Sequence, residues 1–477
     1  MDEVFKRINA TFSSAGAEYL YAKLHEPDFD LDKISDFGQI IQKMSDNDGL
    51  RKKISFILVK LGKKDYNNVS EFIFSPERKR LKNSIVFQML ALLPVASALI
   101  MIINFRYAVY MFIATSIING IVYYKNKLEV ESQQESIEYI TYIIMCSAEL
   151  SKIKDDRIKA QTDKISELYC VFKKIIGFAN IVLSKPVGDM GFLLEYIKII
   201  FLTDYTSYNR ILNIICKNRE MFHQLWLEIG KLDAAISVAS YRKSVEYYST
   251  PVFSENDDII AEDMYHPLVD NPVSNPVTLT MDAIITGSNA SGKSTYVKAV
   301  AINCIFAQTI YTCAARSFSL KPSLVITSMT INDNVIEGDS YFIAEIKSLK
   351  RILATINEEI RCLCFIDEIL KGTNTIERIA ASVATLKWLS GENCLCIAAS
   401  HDIELTDILK NLYQNFHFRE QITDNGINFD YKIYKGRTTT RNAIKLLEFM
   451  QYPNEIIHDA QSFSANFENS QRWPDLN

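Results

Sequence analysis

Ile284-Ile285-Thr286-Gly287-Ser288-Asn289-Ala290-Ser291-Gly292-Lys293-Ser294-Thr295 is a short apolar run, then a glycine-bounded loop, then the start of a helical pattern. That order is the order of a phosphate-binding loop. Backbone N–H groups must point inward at an anion, so glycine stands where a side chain would block the approach, and Gly287 and Gly292 fill those places. Lys293 then reaches the β- and γ-phosphates of ATP, Ser294 can ligate Mg²⁺, and a helix opening at Thr295 adds its positive N-terminal end. A chance glycine-rich turn is the bland alternative, and the succession of strand, loop and helix argues against it.

The rest of such a site is expected downstream. Leu363-Cys364-Phe365-Ile366-Asp367-Glu368 reads as a buried strand ending in two carboxylates, where a parallel strand delivers its C-terminal end to a ligand. Asp367 would hold Mg²⁺ through water, and Glu368 would polarise the attacking water in a reaction governed by positioning and charge. A third strand, Cys394-Leu395-Cys396-Ile397-Ala398-Ala399-Ser400, ends at His401, which places an imidazole where it can sense the γ-phosphate. A lone histidine is more often structural. This one follows a strand in step with the other two, which favours a role in the site.

Four segments taken together resemble the successive ATPase motifs of the MutS family. They are residues 287–295, the segment 333–345 with Gly338-Asp339-Ser340-Tyr341, residues 367–375, and Ser400-His401-Asp402-Ile403-Glu404-Leu405. The resemblance implies an ABC-type ATPase that works as a homodimer, with ATP and Mg²⁺ as its cofactors. It further implies that Ser340 reaches the γ-phosphate held by the other subunit, that Asn289 lies against the nucleotide, and that Thr373 sits in a loop meeting the partner. The opening Ser14-Ala15-Gly16-Ala17-Glu18-Tyr19-Leu20 is similar to the start of the family's helical core. Ile229-Gly230-Lys231-Leu232-Asp233-Ala234-Ala235 is similar to the lever that enters the ATPase, and Tyr452-Pro453-Asn454-Glu455-Ile456 to its closing helices, which brace the dimer.

Composition bounds the remainder. The chain has 477 residues, 48% of them hydrophobic, enough for more than one packed domain. Its 52 basic and 57 acidic side chains leave a net charge of -5, so no overall field draws in nucleic acid. Nine cysteines are scattered, and those at 362/364 and 394/396 alternate along strands at a spacing unlike a zinc knuckle. They read as reduced thiols packed as small hydrophobes.

Residues 85–103 and 107–124 are almost wholly apolar, joined by Asn104-Phe105-Arg106, and each approaches the ~20 residues that cross a bilayer core. Arg78, Lys79, Arg80 and Lys82 precede the first and Lys125 and Lys127 follow the second, so both ends are expected on the cytoplasmic side. Pro94 is expected to kink the first. A buried hairpin in a cytoplasmic protein is the alternative, but neither segment shows the polar face of a surface helix.

The expected architecture is an α/β ABC-type P-loop ATPase domain, preceded by an all-α MutS-like core and lever domain that carries a transmembrane helical hairpin. Its divisions are 1–83 and 125–250 for the helical core and lever, 84–124 for the hairpin, 251–435 for the ATPase, and 436–477 for dimer-bracing helices and tail. Against the family pattern, the chain starts at the core with no mismatch-reading domain before it. Where relatives carry an adenine-stacking aromatic, it reads Asn271-Pro272-Val273-Ser274-Asn275. Two functions follow. One is a membrane-located ATPase with its termini and ATPase domain in the cytoplasm, which binds DNA in a mismatch-repair-like way, DNA binding being implied by the resemblance alone. The other is a membrane-tethered, ATP-driven switch acting on a protein partner that the sequence does not identify.

Overall fold

In the computed structural model the described residues are 1–63, 84–184, 188–288, 291–329, 341–371, 373–423, 426–437, 444, 447–448 and 450–470. Arg78, Lys79, Arg80 and Lys82, the loop residues Asn289 and Ala290, the segment 333–340 with Ser340, and Gly372 lie outside them. The chain forms two compact units, residues 1–25 with 36–244 and residues 26–35 with 245–477.

The first unit is helical. It contains α1 (Asp2–Ile8), α2 (Ser14–His25), α3 (Leu31–Asp46, which straddles the division), α4 (Asp48–Leu61), α5 (Ser84–Ile100) and α6 (Phe105–Glu131). It continues through α7 (Gln134–Leu150), α8 (Lys159–Phe172), α9 (Lys174–Leu183), α10 (Gly188–Phe201), α11 (Thr203–Lys217) and α12 (Arg219–Ser244). α12 buries Phe222, Leu225, Trp226, Ile229, Leu232 and Ile236 at helical spacing. Its small residues let α2 come close, since a Cβ on Gly230 would lie 2.6 Å from the Ala15 carbonyl oxygen. Asp233, fully buried on the same helix, accepts from the backbone N–H groups of Phe12 (3.0 Å) and Ser13 (2.8 Å) and from the Ser13 hydroxyl. Ser13 Oγ in turn accepts from Gly16 N at 3.1 Å, which caps the start of α2. One turn along α12, Ser237 Oγ accepts from Ala10 N and donates to Ile8 O, so the end of α1 and three residues of the irregular chain after it are fastened to one helix. Burial pushes the Asp233 carboxyl up, opposed by these hydrogen bonds.

The apolar segments do pair as helices, α5 and α6, but their extent differs from the expectation. α6 runs on to Glu131, beyond residue 124, because Lys125 to Glu131 continues a good helical sequence. Pro94 lies inside α5. Among the described residues only α6 is long and apolar enough to cross a membrane, and 17% of its apolar window is buried; α5 has 17 residues. Two full spans are therefore not supported, and the hairpin is no separate body, since it packs against α10 and α11.

The second unit is built on a six-stranded sheet in the order β10-β9-β4-β8-β7-β6, with β4 (Ala283–Thr286), β6 (Leu324–Ser328), β7 (Cys362–Asp367), β8 (Cys394–Ala399), β9 (Gln414–Thr423) and β10 (Gly426–Lys435). Only β10 runs antiparallel, on β9. A smaller sheet of β1 (Val252–Phe253), β5 (Ser317–Leu320), β2 (Ile259–Met264) and β3 (Asn275–Leu279) lies beside it. β7 is buried along nearly its whole length, as a parallel strand covered on both faces must be. Leu363 and Phe365 join a core with the small sheet and α13 (Lys293–Thr309). Cys362, Cys364 and Ile366 face the other way, into a core with α14 (Tyr341–Thr355) and α15 (Thr375–Leu389). Cys362 pairs opposite Cys394 and Cys364 opposite Cys396, all free thiols packed as apolar side chains. The short α16 (Glu404–Ile408) precedes β9, and α17 (Asn454–Ser470) closes the described chain.

Because α2 and α12 touch backbone to backbone at Gly230, Gly230→Ala is expected to destabilise the helical unit by about 1–3 kcal/mol, the usual cost of overpacking. A lowered urea midpoint is the expected reading. An unchanged midpoint would mean the two helices are not in this contact.

Candidate nucleotide-binding site

Parallel pairing brings the motif residues to one edge. β4 pairs with β8 and β8 with β7, and the ladder continues past the strands, with Ser400 N donating to Ile285 O and Glu368 N to Ala399 O, both at 3.0 Å. The residues following each strand therefore end side by side. Gly287 has φ +146 and Gly292 φ +107, conformations that L side chains rarely adopt. A Cβ on Gly287 would also come 2.8 Å from Phe418 O. Both glycines are required by the backbone, which is the physical content of the motif.

α13 opens at Lys293, earlier than Thr295, so Lys293 and Ser294 lie in its first turn. Lys293 Nζ donates to Gly287 O and Ser288 O, each at 2.7 Å, curling the loop round its ammonium. Ser291 Oγ donates to Ser288 O at 2.8 Å. Ser288 Oγ donates to Glu420 of β9 at 2.5 Å, a carboxylate that the motif reading did not include. Burial pushes the Lys293 ammonium down to about 8, against the pull of Glu368, Asp367 and Glu420.

Ser294 Oγ donates to Asp367 Oδ1 at 2.9 Å. A hydroxyl and a carboxylate oxygen so placed are the hard donors that suit Mg²⁺, and the pair fits that ion. Glu368, at φ +58, turns out of its strand and has both oxygens engaged, one with His401 Nε2 at 2.8 Å and the other with Lys371 Nζ at 2.5 Å. Burial would raise its carboxyl, but Lys371 and then His401 outweigh it and hold Glu368 below the usual range. Lys371 was not read from the motif, although its spacing of three from Glu368 was the available signal. The turn after His401 is fixed by Asp402, which accepts two bonds from Arg378 of α15, at 2.9 and 2.7 Å. Thr373 is half-buried just before Asn374, the residue that caps α15.

A cavity of about 360 Å³ adjoins Gly292 and Thr295, lined by Tyr265, His266, Asn271, Phe418 and Tyr431 among others. The aromatic faces absent from residues 271–275 come from strands far along the chain. Tyr431, at φ +53, sits in the register shift between Phe429 and Ile433 of β10, and such a bulge re-aims a side chain. Asn275 pins the bulge, donating to Tyr431 O and accepting from Ile433 N, both at 2.9 Å. Burial, with Lys298 nearby, pushes the His266 imidazole down, towards its neutral form.

A glycine loop on a parallel sheet, a lysine in the first helical turn and an acidic pair on the neighbouring strand define a P-loop nucleotide-binding domain. Residues 283–468 match the family described as MutS domain V. The chain is 25% identical over 345 residues to the DNA mismatch repair protein MutS of Natronomonas pharaonis, covering 70% of this chain and 38% of that protein. It is 28% identical over 342 residues to human MutS protein homolog 4, covering 68% and 35%. It is 29% identical over 289 residues to the DNA mismatch repair protein MSH3 of Saccharomyces cerevisiae, covering 57% and 28%. The longer matches exceed the domain and run into the helices before it. The chain spans little more than a third, at most, of the length of these relatives.

The lowered Lys293 value gives a signed expectation. Phosphates favour the ammonium, so nucleotide binding takes up a proton above pH 8. Affinity for a fluorescent ATP analogue should therefore fall by up to about tenfold per pH unit from pH 8 upward. Constant affinity from pH 7 to 9.5 would show that Lys293 stays charged without nucleotide.

Proposed function

We propose that this protein is an ATPase in which ATP binding and hydrolysis open and close a homodimer. The observation that carries the reading is the meeting of Lys293, Ser294, Asp367, Glu368 and His401 at the ends of neighbouring strands. Residues 287–295 cradle the phosphates, and the adenine enters the cavity beside Tyr431 and Phe418. Ser294 and Asp367 would hold Mg²⁺, which would supply positive charge to offset that of the phosphates. Glu368 orients the water that attacks the γ-phosphorus, and His401 steadies Glu368 from the side where the terminal phosphate lies. Ser340 completes the partner's site in this reading, and Thr373 lies at the contact between subunits.

Glu368→Gln keeps the shape and removes the charge that orients water. Hydrolysis is expected to fall roughly 10²-fold or more, while ATP remains bound and drives the protein to dimeric mass in light scattering. Wild-type turnover in that variant would remove Glu368 from this role. A monomer with bound ATP would remove the dimer.

Two destinations for the motion differ in partner. The names of the relatives favour DNA. The exposed apolar surface of α5 and α6, with Ile113, Ile117 and Ile121 turned outward, favours attachment to a membrane and action on a protein partner. ATPase activity measured with homoduplex, mismatched and branched DNA across a salt series separates them. Stimulation that fades steeply with salt belongs to a DNA-acting protein. Indifference to every DNA, with activity retained in liposomes, belongs to the membrane-tethered switch.

A further inference from the structure

α10 inverts the pattern of a helix at a water-facing surface. Phe192, Leu193 and Tyr196 are exposed, at 67, 54 and 64%, and Leu194 and Ile197 with them. Glu195 and Lys198 turn towards neighbouring helices. Glu195 accepts from Tyr123 OH at 3.3 Å and lies 3.8 Å from Lys127, while the side chain of Lys198, only 9% exposed, donates to Ser184 O at 2.8 Å and pairs with Asp204. A helix in water does the reverse, since burying charge costs free energy unless it is paired and exposing aromatics gains nothing.

The hairpin also exposes apolar side chains, with Gln88 exposed among them, and one side chain joins the three helices. Pro94 has no N–H, so the Leu90 carbonyl one turn back lacks its helical donor. Ile200 lies in the last turn of α10, where carbonyls are also left over. Asn119 of α6, wholly buried, donates to both, at 3.1 Å to Leu90 O and 2.7 Å to Ile200 O. Ser97 and Thr115 donate to carbonyls of their own helices. Pairing backbone carbonyls within the protein is a demand that hydrocarbon makes and water does not, although Ser116 Oγ and Asn119 Oδ1 are buried without a partner.

We propose that α10 is a third membrane-embedded element, seated against the hairpin at the boundary of headgroups and acyl chains in the leaflet beside Lys125 and Lys127. This rests on the membrane attachment proposed above. With 14 residues, α10 is about 21 Å long, short of the ~30 Å hydrocarbon core. It enters one leaflet and does not cross. Tyr196 and Tyr124, both exposed, stand at the level where aromatic side chains collect, and Lys127 marks the polar side. The occupant is phospholipid because outward apolar residues occur on α5, α6 and α10 alike, which a bilayer surrounds and a single docked protein covers on one side.

The test uses full-length protein in liposomes of phosphatidylcholine and phosphatidylglycerol. Cys170, Cys216 and Cys394 are replaced by serine, and a polarity-sensitive dye is placed on one cysteine at a time at Phe192, Tyr196 or Ile117. A chain retaining Cys170, exposed on α8, gives the aqueous reference. Labels at 192 and 196 should lose several-fold of the iodide quenching seen at Cys170, and nitroxides placed shallow in the lipid should quench them more than deep ones. The label at 117 should favour the deep nitroxides. Iodide quenching at 192 and 196 equal to that at Cys170 overturns the proposal. Protection from both iodide and lipid nitroxides also overturns it, and assigns the face to a second copy. If 117 is quenched by lipid while 192 and 196 are not, the hairpin attachment stands and only the third element fails. If 117 fails too, the membrane reading itself falls.

Discussion

Everything at the candidate site depends on parallel pairing of β4, β8 and β7. Each strand alone carries one fragment of chemistry, a glycine loop, an acidic pair or a histidine. Only hydrogen bonding in register, continued by Ser400 N to Ile285 O and Glu368 N to Ala399 O, sets the three fragments at one height. Slipping one strand by a residue would reverse its faces, exchanging Cys364 and Phe365 between two separate cores. The cores therefore hold the register, and the register holds the site. The cysteines belong to this argument as packing, for they supply the small apolar side chains that one face needs.

The fragments were legible because each is local. Glycine spacing, a lysine at a helix start and carboxylates at a strand end are dictated by backbone geometry over a few residues. The cavity beside Gly292 was not legible, because it is made by residues separated by most of the domain. Tyr431 reaches it only because β10 carries a bulge, and the bulge is held by Asn275, more than 150 residues earlier in the chain. Residues 271–275 carry no aromatic, while Phe418 and Tyr431 line the cavity from later strands. Glu420 was hidden for the same reason, as it lies on β9 and meets Ser288 only after the sheet forms. The hairpin's helical extent differs from its hydropathic extent on another ground. Hydropathy ends at Tyr124, but helix formation does not, and α6 continues through charged residues that favour it.

The helical unit satisfies buried backbone groups by the same rule in two places. At α12 the irregular chain from Ile8 to Ser13 would leave backbone groups unpaired in a buried place, and Asp233 and Ser237 supply the partners. At α5, α6 and α10 Asn119 does the same for two carbonyls. The surroundings differ. Around Asp233 the neighbouring apolar residues are buried, as water requires, and the carboxylate is the buried exception. Around Asn119 many apolar residues are exposed while Ser97 and Thr115 are buried. A single hydrogen-bonded asparagine occurs in many soluble cores. Asn119, Ser97, Thr115 and Lys198 are buried and Glu195 is partly so, while isoleucines and aromatics on the same three helices are exposed.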